Sequence, residues 1–431
     1  MERKGLMTST DIKNALKKGR PPNIVELFPN SNALIVSGKV IDRAMLAKKN
    51  AIALAANGRN SFVIRGVLRA AQKANAAIII EIARSEGGTN AYCPISMWNL
   101  ARMVDAYCNE MNITIPVAIH TDHFGIKNNN DHQTAKTEIP SLFDAGITSI
   151  AIDASHLPDD DNLLTSIDLN SLIPKWAGLE TEVGEIKGKM GLSSKEEALF
   201  LIQGLNAHNI FPEWIALNNG SVHGIEDIGS GIQVGLTAEI HDALAPYFIS
   251  GAQHGTSGNS SQRLREIADK TRTTKANVAT ALQMVSWGID VNDDGNARLD
   301  ENGRPVKKPD FGVMESTWEA MTAYADSKNI KKNDYKKLNL PFENTLLAQP
   351  REIRERMISA VTDFAYQMIV NVFQAGDTAD HAIDIINQAD SYDIGPKATR
   401  IESPDNWTTD KIRERAKLLT EDKGPEGNFD D

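Results

Sequence analysis

Cysteine is scarce in this chain: only Cys93 and Cys108 occur in 431 residues, which argues against a disulfide framework. No apolar run reaches the ~20 residues that a membrane-spanning helix needs. The start, Met1-Glu2-Arg3-Lys4-Gly5, leads into polar residues rather than an apolar signal segment. A cytoplasmic protein without a membrane partner is the expectation. Positive charge is also lacking. At a net charge of -11, nucleic acid and anionic membrane are not expected partners. A small phosphorylated substrate remains open, because backbone N–H groups can hold a phosphate locally. No internal repeat is visible.

What the sequence does have is alternation. Residues 1–32 read as an accessory segment, with Thr8-Ser9-Thr10-Asp11 capping a short helix that ends before Pro21-Pro22. From residue 33 to 289, short β-rich apolar runs alternate with amphipathic helical periods. The expected strands are 52–57, 77–83, 115–122, 149–155, 178–184, 214–219, 247–253 and 275–282. Eight βα units predict an α/β fold, a closed (β/α)8 TIM barrel. An open doubly wound sheet would want a glycine-rich turn after its first strand, and none is present. A polar loop is expected over 290–312, helices packing on the barrel over 313–420, and a disordered acidic tail over 421–431.

A barrel carries its chemistry at the C-terminal ends of its strands. Those ends read Asn57, Ser85, Asp122 with His123, Asp153 with Ser155, Glu182, His223, His254 and Asn277. Nearly every one can bind a metal, move a proton or donate a hydrogen bond, which structural strands do not need. His123, His223 and His254 form a candidate catalytic metal site, three imidazoles leaving one position open. His120, three residues earlier, is expected in the strand body. Asp122 and Glu182 are candidates for proton transfer. His254-Gly255-Thr256-Ser257-Gly258 places small residues where a strand becomes a helix, and Asn277-Val278-Ala279-Thr280 ends the next strand, so a phosphate is expected there. A separate stretch, Asp290, Asn292, Asp294, Asn296 and Glu301, has EF-hand spacing. With Ala297 and a turn-like Glu301-Asn302-Gly303, an acidic hairpin is the favoured reading, and calcium is not expected.

With these residues assembled, the chain resembles the class II, metal-dependent ketose-bisphosphate aldolases over about residues 32–283. The resemblance rests on Ala33-Leu34-Ile35-Val36-Ser37-Gly38, Ala51 to Asn57, His120-Thr121-Asp122-His123, Asp153-Ala154-Ser155-His156-Leu157-Pro158 and Glu180-Thr181-Glu182-Val183-Gly184. It continues through Ser221-Val222-His223-Gly224, His254 to Gly258 and Asn277 to Thr280, the last being similar to the tagatose-bisphosphate branch. It implies Zn2+, or another divalent transition metal, on His123, His223 and His254, with a monovalent cation as an optional companion. It implies Asp122 as the acid/base group and Glu182 near the metal. Asn57, Ser85, Gly224, Gly255, Ser257, Asn277 and Thr280 are expected to contact substrate or its phosphate. Two departures stand out: the stretch after Gly184 is basic, with Lys187 and Lys189, and Glu226-Asp227 follow His223-Gly224 where a lysine or proline is usual.

The expected activity is reversible aldol cleavage of a ketose (bis)phosphate such as fructose 1,6-bisphosphate, giving dihydroxyacetone phosphate and an aldehyde. The alternatives are a sugar or sugar-phosphate epimerase using the same retro-aldol step, and a non-catalytic calcium-responsive scaffold. The resemblance also implies a homodimer or larger homo-oligomer.

Overall fold

A computed structural model describes residues 8–419 apart from 90, 185–191, 221–230, 257 and 294, and apart from the side chains of 332 and 333. Eight parallel strands close on themselves in sequence order. They are β1 (Ala53–Asn57), β2 (Ile78–Ala83), β3 (Val117–Gly125), β4 (Ser149–Asp153), β5 (Gly178–Val183), β6 (Trp214–Leu217), β7 (Ser250–Gln253) and β8 (Thr273–Val278). Helices follow the strands and cover the outer face, so the fold is the (β/α)8 barrel that the alternation predicts. The acidic tail 421–431, the basic stretch around Lys187 and Lys189, His223, Gly224, Glu226, Asp227, Ser257 and Asp294 lie outside the described residues.

Most strand positions agree with the sequence reading, and the disagreements have physical causes. The eighth strand starts at Thr273, and Thr280–Trp287 is already helix, whereas the sequence suggested 275–282. Lys275, fully buried in the middle of β8, disguises a core strand as a polar one. β7 begins three residues later than expected, because Ala245–Tyr247 is a 3-10 turn and Phe248 sits at φ +54°. β3 runs three residues further than expected, to Gly125, through a register shift between Thr121 and Phe124.

The two ends of the chain close the barrel away from its working rim. Helix Gly38–Lys48 lies against β1, β2, β3, β5 and β8. Gly38 is required there, since a Cβ would come within 2.6 Å of Ser149 Oγ. Below it the Lys397 side chain, 7% exposed, reaches Asp42 in a short ion pair and donates to Ser250 Oγ at 2.7 Å. Helix Ser9–Lys18, capped by Thr8 in a capping box with Asp11, packs on helix Thr378–Ala389. Helix Arg351–Gln367 crosses helix Ser61–Ala74 on the barrel flank. A second apolar cluster, including Trp287, Val313, Trp318, Met321, Leu338 and Met357, joins the C-terminal helices to the barrel. Among the described residues no helix is long and apolar enough to cross a membrane.

Candidate active site

Alternate residues of a strand share a face, and this places the polar groups of β3, β5 and β8 inside the barrel. His120 and Asp122 on β3, Glu180 and Glu182 on β5, and Lys275 and Asn277 on β8 are all buried. A regular strand would send His123 to the face opposite Asp122. Instead the bulge between Thr121 and Phe124, with His123 at φ +39°, turns its imidazole to the same rim. Such a backbone is strained for a non-glycine residue, and bulges of this kind re-aim side chains beside active sites.

His123 Nδ1 lies 2.9 Å from Glu182 Oε1 and 3.2 Å from Asp153 Oδ2. The His254 ring centroid lies 4.2 Å from that of His123, and its Nε2 bonds Glu180 Oε1 at 2.7 Å. Its other nitrogen, Nδ1, is buried with no hydrogen-bond partner among the described residues and stands 3.9 Å from Glu182 Oε2. One donor atom from each of Asp122, His123 and His254 falls within 4.8 Å of the others, and so does the set His123, Asp153 and Glu182. The surplus of carboxylates shows in the titration. Burial opposes the charging of His123, yet Glu182 and Asp122 raise its pKa well above the usual imidazole range. Burial, then Asp153, pushes the Glu182 carboxyl up. An orphaned buried imidazole nitrogen amid excess negative charge fits a divalent cation such as zinc.

Asp122 is held by two amides. Asn277 Nδ2 donates to its Oδ1 at 2.7 Å, and Asn57 Nδ2 to its Oδ2 at 3.3 Å. Burial alone would raise this carboxyl, but His123, Lys275, His254 and His120 together hold it down at about 2. Asn57 and Asn277, read from sequence as substrate contacts, therefore first serve to orient Asp122; their Oδ1 atoms are buried without partners among the described residues. Asn57 also donates to Glu86 at 2.9 Å. Glu86 pairs with buried Arg59 at 2.5 Å, and Arg59 reaches Thr280 Oγ1 at 3.4 Å.

Three charges beneath this layer escaped the sequence reading. Lys275 Nζ lies 2.8 Å from Glu180 Oε2, 3.2 Å from Glu81 Oε2 and 3.9 Å from Asp122 Oδ1. Burial opposes its charge, but Glu180 and Glu81 raise the pKa above that of a free lysine, so it is a fixed ammonium rather than a nucleophile. Glu180 titrates below the usual range; burial opposes this, and Lys275 and His254 prevail. Glu81 titrates far above it through burial and the neighbouring Asp122. His120 belongs to the strand body, as expected. Its Nδ1 meets Ser149 Oγ at 2.8 Å, and burial, with Lys275, pushes it down to about 3. The available signal was Glu81 itself, a lone charge inside Ile78-Ile79-Ile80-Glu81-Ile82, since a buried charge demands a partner.

Ser85 sits in the helical turn Arg84–Gly87 and lines a cavity of about 350 Å³ together with His123, Asp153, Arg84 and Lys127. Gly255, at φ +59°, opens the turn after His254. Thr256 Oγ1 donates to Asn277 O at 2.5 Å, which ties that turn to β8. The EF-hand spacing, by contrast, folds as a hairpin bridged Val291 to Ala297 and Leu299 to Pro305. Asp290 is engaged by Lys308 at 2.9 Å and Arg298 at 3.3 Å, the Asn296 carbonyl accepts from Asn292 N–H, and Glu301 is exposed in a turn. Asp290 and the Asn296 carbonyl, two of the groups a calcium loop would use, are thus already engaged by the protein itself.

A sheet closed in this order, with its polar cluster at the strand ends, defines a (β/α)8 enzyme scaffold. The class-II fructose-bisphosphate aldolase family matches residues 39–334, and the chain belongs to that family. It is 33% identical over 145 residues to the fructose-bisphosphate aldolase of Staphylococcus aureus (strain Mu50 / ATCC 700699), a stretch covering 33% of this chain and 46% of that protein. The match thus spans about half the length of that relative. It is 27% identical to the fructose-bisphosphate aldolase of Streptococcus pneumoniae serotype 4 over 231 residues, 53% of this chain and 73% of that one. Among solved structures, the YdjI aldolase from Escherichia coli K12 aligns with a TM-score of 0.53 at 15% identity, covering 79% of this chain and 98% of that one. Fructose-bisphosphate aldolase from Campylobacter jejuni aligns at 0.50 and 20%, covering 80% and 96%. At those identities the structural likeness shows the fold alone.

Proposed function

We propose that this chain is a metal-dependent aldolase that reversibly cleaves a ketose (bis)phosphate, such as fructose 1,6-bisphosphate, to dihydroxyacetone phosphate and an aldehyde. The observation that carries the reading is the convergence of His123, His254 and Asp122 on one rim, with a buried imidazole nitrogen left over for a cation. His123 and His254 would hold the ion, with His223 as the third ligand implied by its motif. When bound, the ion supplies Lewis acidity to a substrate carbonyl and favours the enolate form of the cleaved ketone. Asp122 takes the hydroxyl proton of the carbon that becomes the aldehyde. Ionised at neutral pH and clamped by Asn57 and Asn277, it is an acceptor of fixed direction. Glu182 and Asp153 orient His123. Gly255, Asn277 and Thr280, with Gly224 and Ser257, form the phosphate site, and Ser85 faces the substrate cavity.

A chelator should abolish cleavage of fructose 1,6-bisphosphate and added zinc should restore it. Persistent cleavage in chelator, or a covalent adduct trapped by borohydride, would sink the reading. Product analysis by NMR separates the aldolase, which yields two triose-sized fragments, from an epimerase, which keeps the carbon count. The family resemblance favours a homodimer or larger assembly, which sedimentation would test.

A further inference from the structure

The hairpin of residues 289–308 takes no part in the chemistry above, yet its tip rests on the corner of the barrel assigned to phosphate. Asn292 fixes the tip: its Oδ1 accepts from Asn296 N–H at 3.0 Å, and its own N–H donates to the Asn296 carbonyl at 2.8 Å. The tip is set down at two points. A Cβ built on Gly295 would lie 3.4 Å from the methyl of Ala281, in the first turn of the helix after β8. A Cβ built on Gly258 would lie 3.7 Å from Asn296 Nδ2 and 3.9 Å from its Oδ1. Gly258 leads into the N-cap of the helix Ser261–Lys270 that follows β7. The hairpin therefore bridges the two helix starts between which a barrel of this kind holds a phosphate.

Asn296 is only 7% exposed, and its Oδ1 is buried without a hydrogen-bond partner among the described residues. A buried amide with an unused end is costly unless a ligand engages it. Rotation about its terminal bond interchanges the oxygen and the NH2 group, so the same side chain can present two N–H donors. Of the acids in the hairpin, Asp290 is held by Lys308 and Arg298, while Asp293 is exposed at the tip.

We infer that Asn296 is a phosphate-recognising residue contributed by the hairpin, donating its amide to a phosphate monoester held at Gly255, Asn277 and Thr280. The inference rests on reading that corner as the phosphate site, but not on aldol cleavage. Selectivity for phosphorylated over unphosphorylated substrate would then be partly a property of this hairpin.

Titration calorimetry of the full chain with inorganic phosphate tests this. Wild type should bind, and Asn296→Ala should bind about tenfold more weakly, the effect of losing one hydrogen bond to a charged acceptor. Asn296→Asp, nearly isosteric but anionic, should lose more. Asn302→Ala, on the exposed far turn, should bind as wild type does. Equal affinity of wild type and Asn296→Ala, or a wild type that binds no phosphate, overturns the inference. Should Asn296→Ala melt well below wild type without phosphate, Asn296→Asp decides: undiminished affinity there overturns the inference as well. Phosphate binding that depends on Asn296 in a protein that cleaves no ketose bisphosphate leaves the inference standing and removes the aldolase reading instead.

Discussion

Glu81 and Glu180 flank the same ammonium at 3.2 and 2.8 Å, so distance alone gives them similar weight. At an effective dielectric of 20, either ionised pair would gain about 5–6 kcal/mol before desolvation. Their titration differs in direction. Lys275 and His254 hold the Glu180 carboxyl below the usual range against the effect of burial, whereas burial and Asp122 push the Glu81 carboxyl well above it. That difference in direction predicts an interior with one ion pair, Lys275 with Glu180, beside a neutral carboxylic acid. On that expectation Glu81→Gln exchanges one neutral group for another of nearly the same shape and should cost under about 1 kcal/mol. Glu180→Gln leaves a buried ammonium without its counter-charge and should cost about 3–5 kcal/mol.

Chemical denaturation of the metal-stripped protein at pH 7 reads both values. Lys275→Met should resemble Glu180→Gln, and the double variant Lys275→Met/Glu180→Gln should recover part of the loss, because the partners are removed together. If Glu81→Gln proves as damaging as Glu180→Gln, Glu81 is ionised and the interior holds two ion pairs, which refutes the reasoning.

His241 gives a pH prediction remote from the metal cluster. It is buried, accepts from Arg272 N–H at 3.2 Å, and burial, aided by Arg272, pushes it down to about 4. The unfolded imidazole protonates near pH 6.5, so as pH falls from about 6.5 to 4 the unfolded state gains a proton that the native state refuses. Stability should drop by about 3 kcal/mol across that window through this residue. The stability curve of His241→Gln should be flatter there by that amount, and parallel curves would contradict it. Gly66→Ala should destabilise by about 1–3 kcal/mol despite the better helix propensity of alanine. The new Cβ would stand 2.5 Å from Val361 Cβ, where two helices cross, and an unchanged melting temperature would mean they can separate at little cost.

The barrel was legible because its eight strands are short apolar runs set between helical periods, a pattern with few competitors. The boundaries of β8 were not, because Lys275 and its two preceding threonines look solvent-exposed until the carboxylates that face them are placed. Those partners come from β2 and β5, far along the chain, and no local pattern announces them. Asp122 and His123 stood out in the sequence as a carboxylate and an imidazole side by side at a strand end, and the structure brings them together with His254. Their shared direction was not: it depends on a bulge, and a bulge leaves no clear mark in residue type. The roles of Asn57 and Asn277 were legible only in part, for an amide at a strand end can hold a substrate or a neighbouring side chain equally well.

The contacts between the early barrel elements and the C-terminal helices bear on how the molecule is made. All eight strands have been synthesised by Val278, but the flank of helix Ser61–Ala74 awaits helix Arg351–Gln367, and the Ile52 N–H awaits the carbonyl of Phe373. Lys397 must arrive before Asp42 gains its ion partner. A nascent chain with its sheet complete would still expose apolar helix faces for the time needed to synthesise another hundred residues. Ordinary elongation makes that several seconds. The architecture thus places the cover of its earliest helices among the last parts of the chain to be made.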